Sequence, residues 1–252
     1  MTTHNPGRLD HLRIAINAAG RDFGRTLAIR LADLGAELHL AARSADAAEA
    51  VATEIRERGH ERVHAYRCDL TAPDTVAAFA GAVAERTDRV DVLINNGARY
   101  LAAADLVSAS DEDIVATVAS GTAGTVLTVK HFLPLLRRSD VPDIVTMVST
   151  AGTPGHFLSD AHEAFYAAKA GQGGFTEVLS KRLRPEGIRV ISLYPPDFAN
   201  PDPLGEAWES TPRGPQDALT AQSLVDCVLF AIGQPRDCFI KSFHFEQAWQ
   251  QH

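Results

Sequence analysis

The 252-residue chain has few cysteines, and the three present, Cys68, Cys227 and Cys238, stand far apart. None has the spacing of a zinc ligand set or a redox dithiol. A disulfide framework and a cysteine-built metal site are therefore not expected, and a reducing compartment is. Positive charge is in short supply, with 24 Lys and Arg against 32 Asp and Glu and a formal net charge of −8. That balance lacks the basic face that binding a nucleic-acid backbone demands. Long apolar runs are missing too. Nothing approaches the ~20 residues that cross a bilayer. The opening stretch MTTHNPGRLDHL has no apolar core of the kind a secretion signal needs. The expectation is a cytoplasmic protein without metal, membrane or nucleic-acid partners.

What is present is ordinary globular material, 45% hydrophobic and 22% charged. Short apolar runs alternate with longer helical patterns. The strand candidates are 12–17, 37–41, 62–67, 90–94, 143–149, 187–193 and 237–243. Several are apolar almost throughout, as strands buried on both faces are. Helical periodicity covers 22–35, 45–59, 73–87, 111–138, 161–184 and 217–232. Gly35, Gly59 and Pro185-Glu186-Gly187 supply helix stops. Alternation of this kind predicts one α/β domain over residues 1–252, a Rossmann-like doubly wound fold with a seven-stranded, mainly parallel sheet. The proline-rich segment 195–216 follows a strand's C-terminal end, where such sheets bind ligands, and reads as a substrate loop or lid.

Two stretches carry chemistry. In RIAINAAGRDFGRTLAIRLADLGAEL (13–38) a strand enters a loop and an amphipathic helix leaves it, as at the start of a dinucleotide fold. In FYAAKAGQGGF, Tyr166 and Lys169 lie three apart on a predicted helix and hence on one face. An ammonium nearby draws a phenol's pKa down from ~10, and the pair then serves as a proton donor or acceptor for a substrate oxygen. Ser149, at the end of the preceding strand in VTMVSTAG, is placed to hydrogen-bond the same carbonyl.

With INNGA at 94–98, CDL at 68–70, HFLPLL at 131–136 and the tail LVDCVLFAIGQPRDCFIK, these segments follow one another in an order that resembles the short-chain dehydrogenase/reductase family over nearly the whole chain. The resemblance implies Tyr166 as catalytic acid/base, with Lys169 lowering its pKa and binding the nicotinamide ribose. Ser149 would orient the substrate carbonyl. Asp69 and Leu70 would hold the adenine, and Asn95 and Gly97 line a ribose. Pro195 and Phe198 would flank the nicotinamide, and Asn200 stands where the family often has a threonine for the carboxamide. It also implies a homodimer or homotetramer packed through the helices at 111–138 and 161–184. Ordinary turn chemistry is the competing reading for Asp69, Asn95 and Pro195.

Charge bears on the cofactor. Arg43 follows the second strand, where an NAD-preferring site usually has an acidic residue, and Arg21 sits in the glycine loop. Two guanidinium groups there suit a 2′-phosphate, so NADP(H) is the expected cofactor. Ala18, Arg21, Phe23 and Gly24 are the expected loop contacts.

Four departures from the family pattern matter. The three loop glycines fall on Ala18, Asp22 and Gly24, so only the third is kept. Asp22 either caps the helix and turns away or faces the pyrophosphate and weakens binding. NNGA reverses the family's usual final Ala-Gly order. The asparagine that helps hold a proton-relay water falls on Gly121, with Ser120 beside it as a substitute. The stretch from Ser149 to Tyr166 is longer than usual, and brings His156 and His162 to the pocket rim as solvated loop residues. The leading expectation is an NADP(H)-dependent oxidoreductase interconverting a carbonyl and an alcohol. Arg99, Tyr100 and the loop 195–216 would read the rest of the substrate. The alternatives are a non-redox enzyme (proton transfer, elimination, cyclisation or isomerisation) and a cofactor-binding regulatory protein on the same scaffold.

Overall fold

The computed structural model describes residues 9–102, 105–156 and 159–247. Seven strands form one sheet: β1 (Arg13–Ile16), β2 (Glu37–Ala42), β3 (Val63–Arg67), β4 (Val92–Asn95), β5 (Asp143–Met147), β6 (Arg189–Tyr194) and β7 (Ser242–His244). Their order is β3-β2-β1-β4-β5-β6-β7, and every pairing is parallel. The chain runs outward from β1 through β2 to β3, then returns to β4 on the other side of β1. The crevice at the C-terminal ends of β1 and β4 is therefore the switch point, where open α/β sheets take ligands.

Helices cover both faces because the central strands are apolar on both. One layer holds α1 (Asp22–Asp33), α2 (Ala45–Glu57) and α8 (Ala221–Ile232), packed through Leu27, Leu31, Val51, Ile55, Leu224 and Val228. The other holds α3 (Pro73–Ala84), α5 (Gly124–Leu136) and the C-terminal end of α6 (Glu163–Leu183). There Phe79 and Phe132 meet with ring centres 4.9 Å apart. Pro73 opens α3, where its missing N–H costs nothing. Ser44 caps α2 by accepting from the Ala47 N–H.

Three elements differ from the periodicity. The run at 111–138 divides into α4 (Asp111–Val118), one π-helical turn at Ala119–Ala123, and α5. The last strand, expected over 237–243, is only Ser242–His244. Before it, Arg236 donates to Asp143 and to the Pro142 and Gly187 carbonyls, and the Cys238 carbonyl accepts from Arg189. These anchors hold the backbone in a turn and keep it out of the ladder. The segment 195–216 contains a short helix, α7 (Glu206–Ser210), whose Trp208 is buried under the Arg30 guanidinium. It is also tied to the start of α1. Thr26 donates to Asn200 Oδ1 at 2.9 Å, Arg25 pairs with Asp202 at 3.0 Å, and Phe23 meets Phe198 edge-on at 5.2 Å.

Candidate active site

The floor of the crevice is a set of buried amides. Asn17, at the end of β1, accepts from the N–H groups of Asn96 and Gly97, both at 2.9 Å, and donates to Asn95 Oδ1 at 3.1 Å. Asn95 is fully buried and knits β1 to β4, so its side chain belongs to the floor and not to the cleft wall. Asn96 donates to the Ala18 carbonyl at 3.1 Å, which fixes the loop after β1.

That loop is built as a glycine loop without most of its glycines. Ala18 and Asp22 both lie in the left-handed region, at φ 51° and 48°, where glycine is at ease and other residues are strained. Gly24 is indispensable, since a Cβ there would collide with the Ala18 carbonyl oxygen and come 2.7 Å from the Asn96 amide nitrogen. At Gly97 a Cβ would lie 2.5 Å from Leu70 Cδ1 and 2.9 Å from Ala18 Cβ, so Leu70 closes onto the loop only because position 97 is bare. The first residues of α1 receive no side-chain cap. Asp22 does not cap: it points into solvent, 79% exposed, 3.3 Å from the equally open Arg21. The reading of Asp22 as a helix cap is thereby corrected, while its carboxylate does turn away from the loop. The left-handed backbone turns its carboxylate outward, and the first N–H groups of α1 stay without a side-chain partner. Free N–H groups at a helix start are what a pyrophosphate uses.

Around the mouth, Arg43 is exposed after β2. Asp69 follows β3 and accepts from the Thr71 N–H at 3.0 Å and the Thr71 hydroxyl at 2.7 Å, a local turn. Burial raises its pKa, but these bonds and the fields of Arg43 and Arg67 outweigh it and keep the carboxyl below its ordinary value. Phe23 faces inward onto Phe198, and the Pro195 carbonyl accepts from the Thr150 N–H at 3.0 Å. Asn200 Oδ1 is engaged by Thr26, as above.

Ser149 follows β5 at φ 100°, and its Oγ accepts from the Ala151 N–H at 3.2 Å. The strained backbone holds the serine at the point where β5 gives way to a single 3-10 turn, Thr150–Gly152. Gly152 packs against α6, since a Cβ there would meet the Lys169 carbonyl oxygen at 2.7 Å. The serine's turn and the helix of Tyr166 and Lys169 are thus in direct contact.

The expected pairing of Tyr166 with Lys169 takes a different form. The Tyr166 hydroxyl exchanges two hydrogen bonds of 3.0 Å with the backbone of Ser159. The Lys169 ammonium turns inward, donating to the Met147 carbonyl at 2.8 Å and to Gln172 Oε1 at 3.0 Å. The ring it faces is Phe165, with Nζ 5.5 Å from the ring centre. Burial alone pushes the lysine down to about 7.

Other expectations move as well. Ser120 does not face the lysine: its Oγ accepts from the Arg99 N–H and donates to the Thr117 carbonyl. Gly121 cannot host a larger residue without a shift, because a Cβ would lie 2.8 Å from Ala168 Cβ. His162 is no solvated loop residue. It is fully buried, and its Nδ1 caps α6 by accepting from the Ala164 N–H at 3.0 Å. His156 is half-buried. Arg99 pairs with Asp113, while Tyr100 is exposed, donates to the Asp160 carbonyl and meets Phe165 edge-on at 5.2 Å. Sequence reasoning missed Phe165 and Gln172. Both carry the helix-face spacing that singled out Tyr166, but neither is a residue type that advertises acid/base chemistry.

The short chain dehydrogenase sequence profile matches residues 13–207. The chain is 33% identical over 215 residues to D-threitol dehydrogenase of Mycolicibacterium smegmatis, covering 84% of this chain and 78% of that protein. It is 29% identical over 181 residues to a 3-oxoacyl-[acyl-carrier-protein] reductase of Synechocystis, 71% of each chain. A metagenomic short-chain oxidoreductase solved with NADP superposes with a TM-score of 0.78 at 25% identity, over 94% of this chain and 96% of that one. The chain therefore belongs to the short-chain dehydrogenase family of oxidoreductase enzymes. Among the described residues no helix is long and apolar enough to cross a membrane, and no cluster of His, Cys, Asp or Glu is placed to hold a metal.

Proposed function

We propose that the protein is an NADP(H)-dependent oxidoreductase that interconverts a carbonyl and an alcohol on a small molecule. The observation that carries this reading is the junction of β5 and α6, where Lys169 bonds the Met147 carbonyl two residues before Ser149. The nucleotide fits the loop after β1: Gly24 and Gly97 leave room for close backbone packing, and the start of α1 offers uncapped N–H groups. Ala18, Arg21 and Gly24 would hold the pyrophosphate, and Arg43 with Arg21 the 2′-phosphate. Asp69 and Leu70 would take the adenine, and Gly97, Pro195, Phe198 and Asn200 the nicotinamide half. Phe23 and Asn95 act from behind this surface. The hydride chemistry at the substrate carbon would be supplied by the nicotinamide held there.

The chain's own part is the proton. Ser149 Oγ accepts a weak 3.2 Å bond and retains its own proton for a substrate oxygen. In this reading Tyr166 leaves Ser159 and delivers its hydroxyl proton to the developing alkoxide, and the positive field of Lys169 favours the phenolate left behind. Arg99, Tyr100 and the segment 195–216 frame the substrate's remote end. The reading includes a cytoplasmic homodimer or homotetramer packed through α4, α5 and α6, on which Val115, Val118 and Val178 are exposed.

One observation favours a second reading. Phe165, which carries no proton, is the ring that faces Lys169. A protein that binds the nucleotide but performs no redox step, whether a non-redox enzyme or a regulator, is consistent with that contact. The test is a fluorescence titration with NADPH and NADH, followed by turnover on a panel of ketones and alcohols. Nucleotide binding with turnover supports the first reading; binding without turnover on any of them supports the second.

A further inference from the structure

We infer that Gln172 is a positioning residue for Lys169: its side-chain carbonyl, held in one orientation by Thr125, fixes where the ammonium sits. The inference rests on the reading that Lys169 serves the site, but its test does not depend on redox turnover.

The orientation of the amide follows from donor counting. Thr125 has one hydroxyl proton, and it lies 2.7 Å from the Gly121 carbonyl, which only accepts. Toward Gln172, also 2.7 Å away, the same hydroxyl must then accept, so the amide nitrogen faces Thr125. That leaves Oε1 for the ammonium, at 3.0 Å. Reversing the amide would set two acceptors, Oε1 and the Thr125 oxygen, against each other and turn an NH2 group toward a cation. Gln172 is fully buried, so no water compensates for a reversed amide. Four groups therefore hold a single arrangement, running from the Gly121 carbonyl of the π-helical turn through Thr125 on α5 and Gln172 on α6 to Lys169.

Two glycines make the approach possible. A Cβ at Gly121 would lie 2.8 Å from Ala168 Cβ, and one at Gly171 would lie 2.5 Å from Thr122 Oγ1. With both positions bare, α6 settles onto the π-helical turn, and the Thr122 hydroxyl reaches the Ala168 carbonyl at 3.1 Å. The closeness that leaves no room for a side chain at 121 brings an amide to the lysine from α6 instead. The ammonium's partners are then the Met147 carbonyl from β5, Gln172 from its own helix and the face of Phe165. Among the described residues no charged or titratable neighbour on β5, α5 or α6 shifts it; burial alone does.

The experiment uses full-length protein labelled with [13C,15N]lysine. The chain has four lysines, Lys130, Lys169, Lys181 and Lys241, so the ε-CH2 signals are few. Lys169→Met identifies the Lys169 signal by its loss. The signal is followed from pH 5 to 10 in the unmodified protein and in Gln172→Glu, Gln172→Leu and Thr125→Val. A carboxylate at 172 should raise the titration midpoint by about one unit or more, roughly tenfold in proton affinity. Gln172→Leu should lower it. Thr125→Val frees the amide without touching the lysine, and should lower it in the same direction by a smaller amount. Should Gln172→Leu fail to fold, the other two variants decide. An unmoved midpoint in Gln172→Glu or in Thr125→Val overturns the inference and leaves Gln172 as packing between helices. NADPH titration of the same samples is the separate check: absent binding removes the proposed function and leaves the lysine result standing.

Discussion

The ammonium of Lys169 lies over the ring of Phe165, four residues earlier on α6, while the hydroxyl of Tyr166, three residues earlier, is bonded to Ser159 in the preceding loop. Both spacings fall on one helix face. At about 100° per residue, three steps stop about 60° short of a full turn and four pass it by about 40°. Spacing alone scarcely separates the two rings, so the packing around the helix chooses between them.

Exchanging the two aromatic residues decides which ring acts. If Tyr166 is the proton donor, Tyr166→Phe lowers turnover by about 100-fold or more, with the fold kept and a melting temperature reduced only by the loss of the two Ser159 bonds. Phe165→Tyr puts a hydroxyl beside the ammonium and is expected to raise turnover roughly tenfold. Steady-state rates with NADPH on one reactive ketone measure both. Full activity in Tyr166→Phe would remove that residue from the mechanism.

Asp22→Gly is expected to stabilise the protein and to tighten nucleotide binding. The residue sits at φ 48° and supplies no helix cap, so glycine relieves strain of roughly 1 kcal/mol and no capping bond is lost. Removing a carboxylate near the start of α1 also favours an incoming pyrophosphate. Urea denaturation measures the first effect, and calorimetric NADPH titration at low and high salt the second. Weaker binding in the variant would mean that the loop works because of its aspartate.

Arg43→Ala addresses cofactor choice. A charge-assisted bond to phosphate contributes roughly 1.5–3 kcal/mol, about ten- to a hundredfold in affinity. The expected result is that NADPH loses that factor and NADH does not. Equal affinity of the unmodified protein for both nucleotides would dispose of the argument from the arginines.

Lys169→Met tests the buried amine through pH. Burial lowers the folded-state pKa from the usual 10.5 to about 7. Between those values the unfolded chain holds a proton that the folded chain does not, so this group's contribution to stability rises with pH, by at most roughly 1.4 kcal/mol per unit. At and below pH 7 the folded protein carries a buried charge, and the contribution is at its least favourable. Methionine has no such dependence. The stability of Lys169→Met relative to the unmodified protein should therefore be greatest at pH 6.5 and decline toward pH 9.5 in chemical denaturation. The bonds lost by Met147 and Gln172 add a constant offset. A difference that stays flat across this range would show that the amine is solvated.

Strand and helix order could be read directly from the chain. Val92-Leu93-Ile94 and Ile144-Val145 are apolar on both faces, which only a covered parallel sheet tolerates, and Gly35 and Gly187 stop their helices with positive φ. The family could be read because its motifs keep their order. Local patterning also put Ser149 just beyond β5 and Gly24 in the first turn of α1. Tertiary packing decided the rest. Asp22 faces solvent because its backbone is left-handed. His162 is buried because the segment before α6 folds back under Leu101, whose carbonyl accepts the His162 N–H at 2.9 Å. Thr125 reaches Gln172, and so turns its side-chain carbonyl toward Lys169, because Gly121 and Gly171 let two helices close. Residue type and spacing bring side chains to a helix face, but which of them a buried ammonium meets depends on distances between elements far apart in the chain, and those are set only when the core closes.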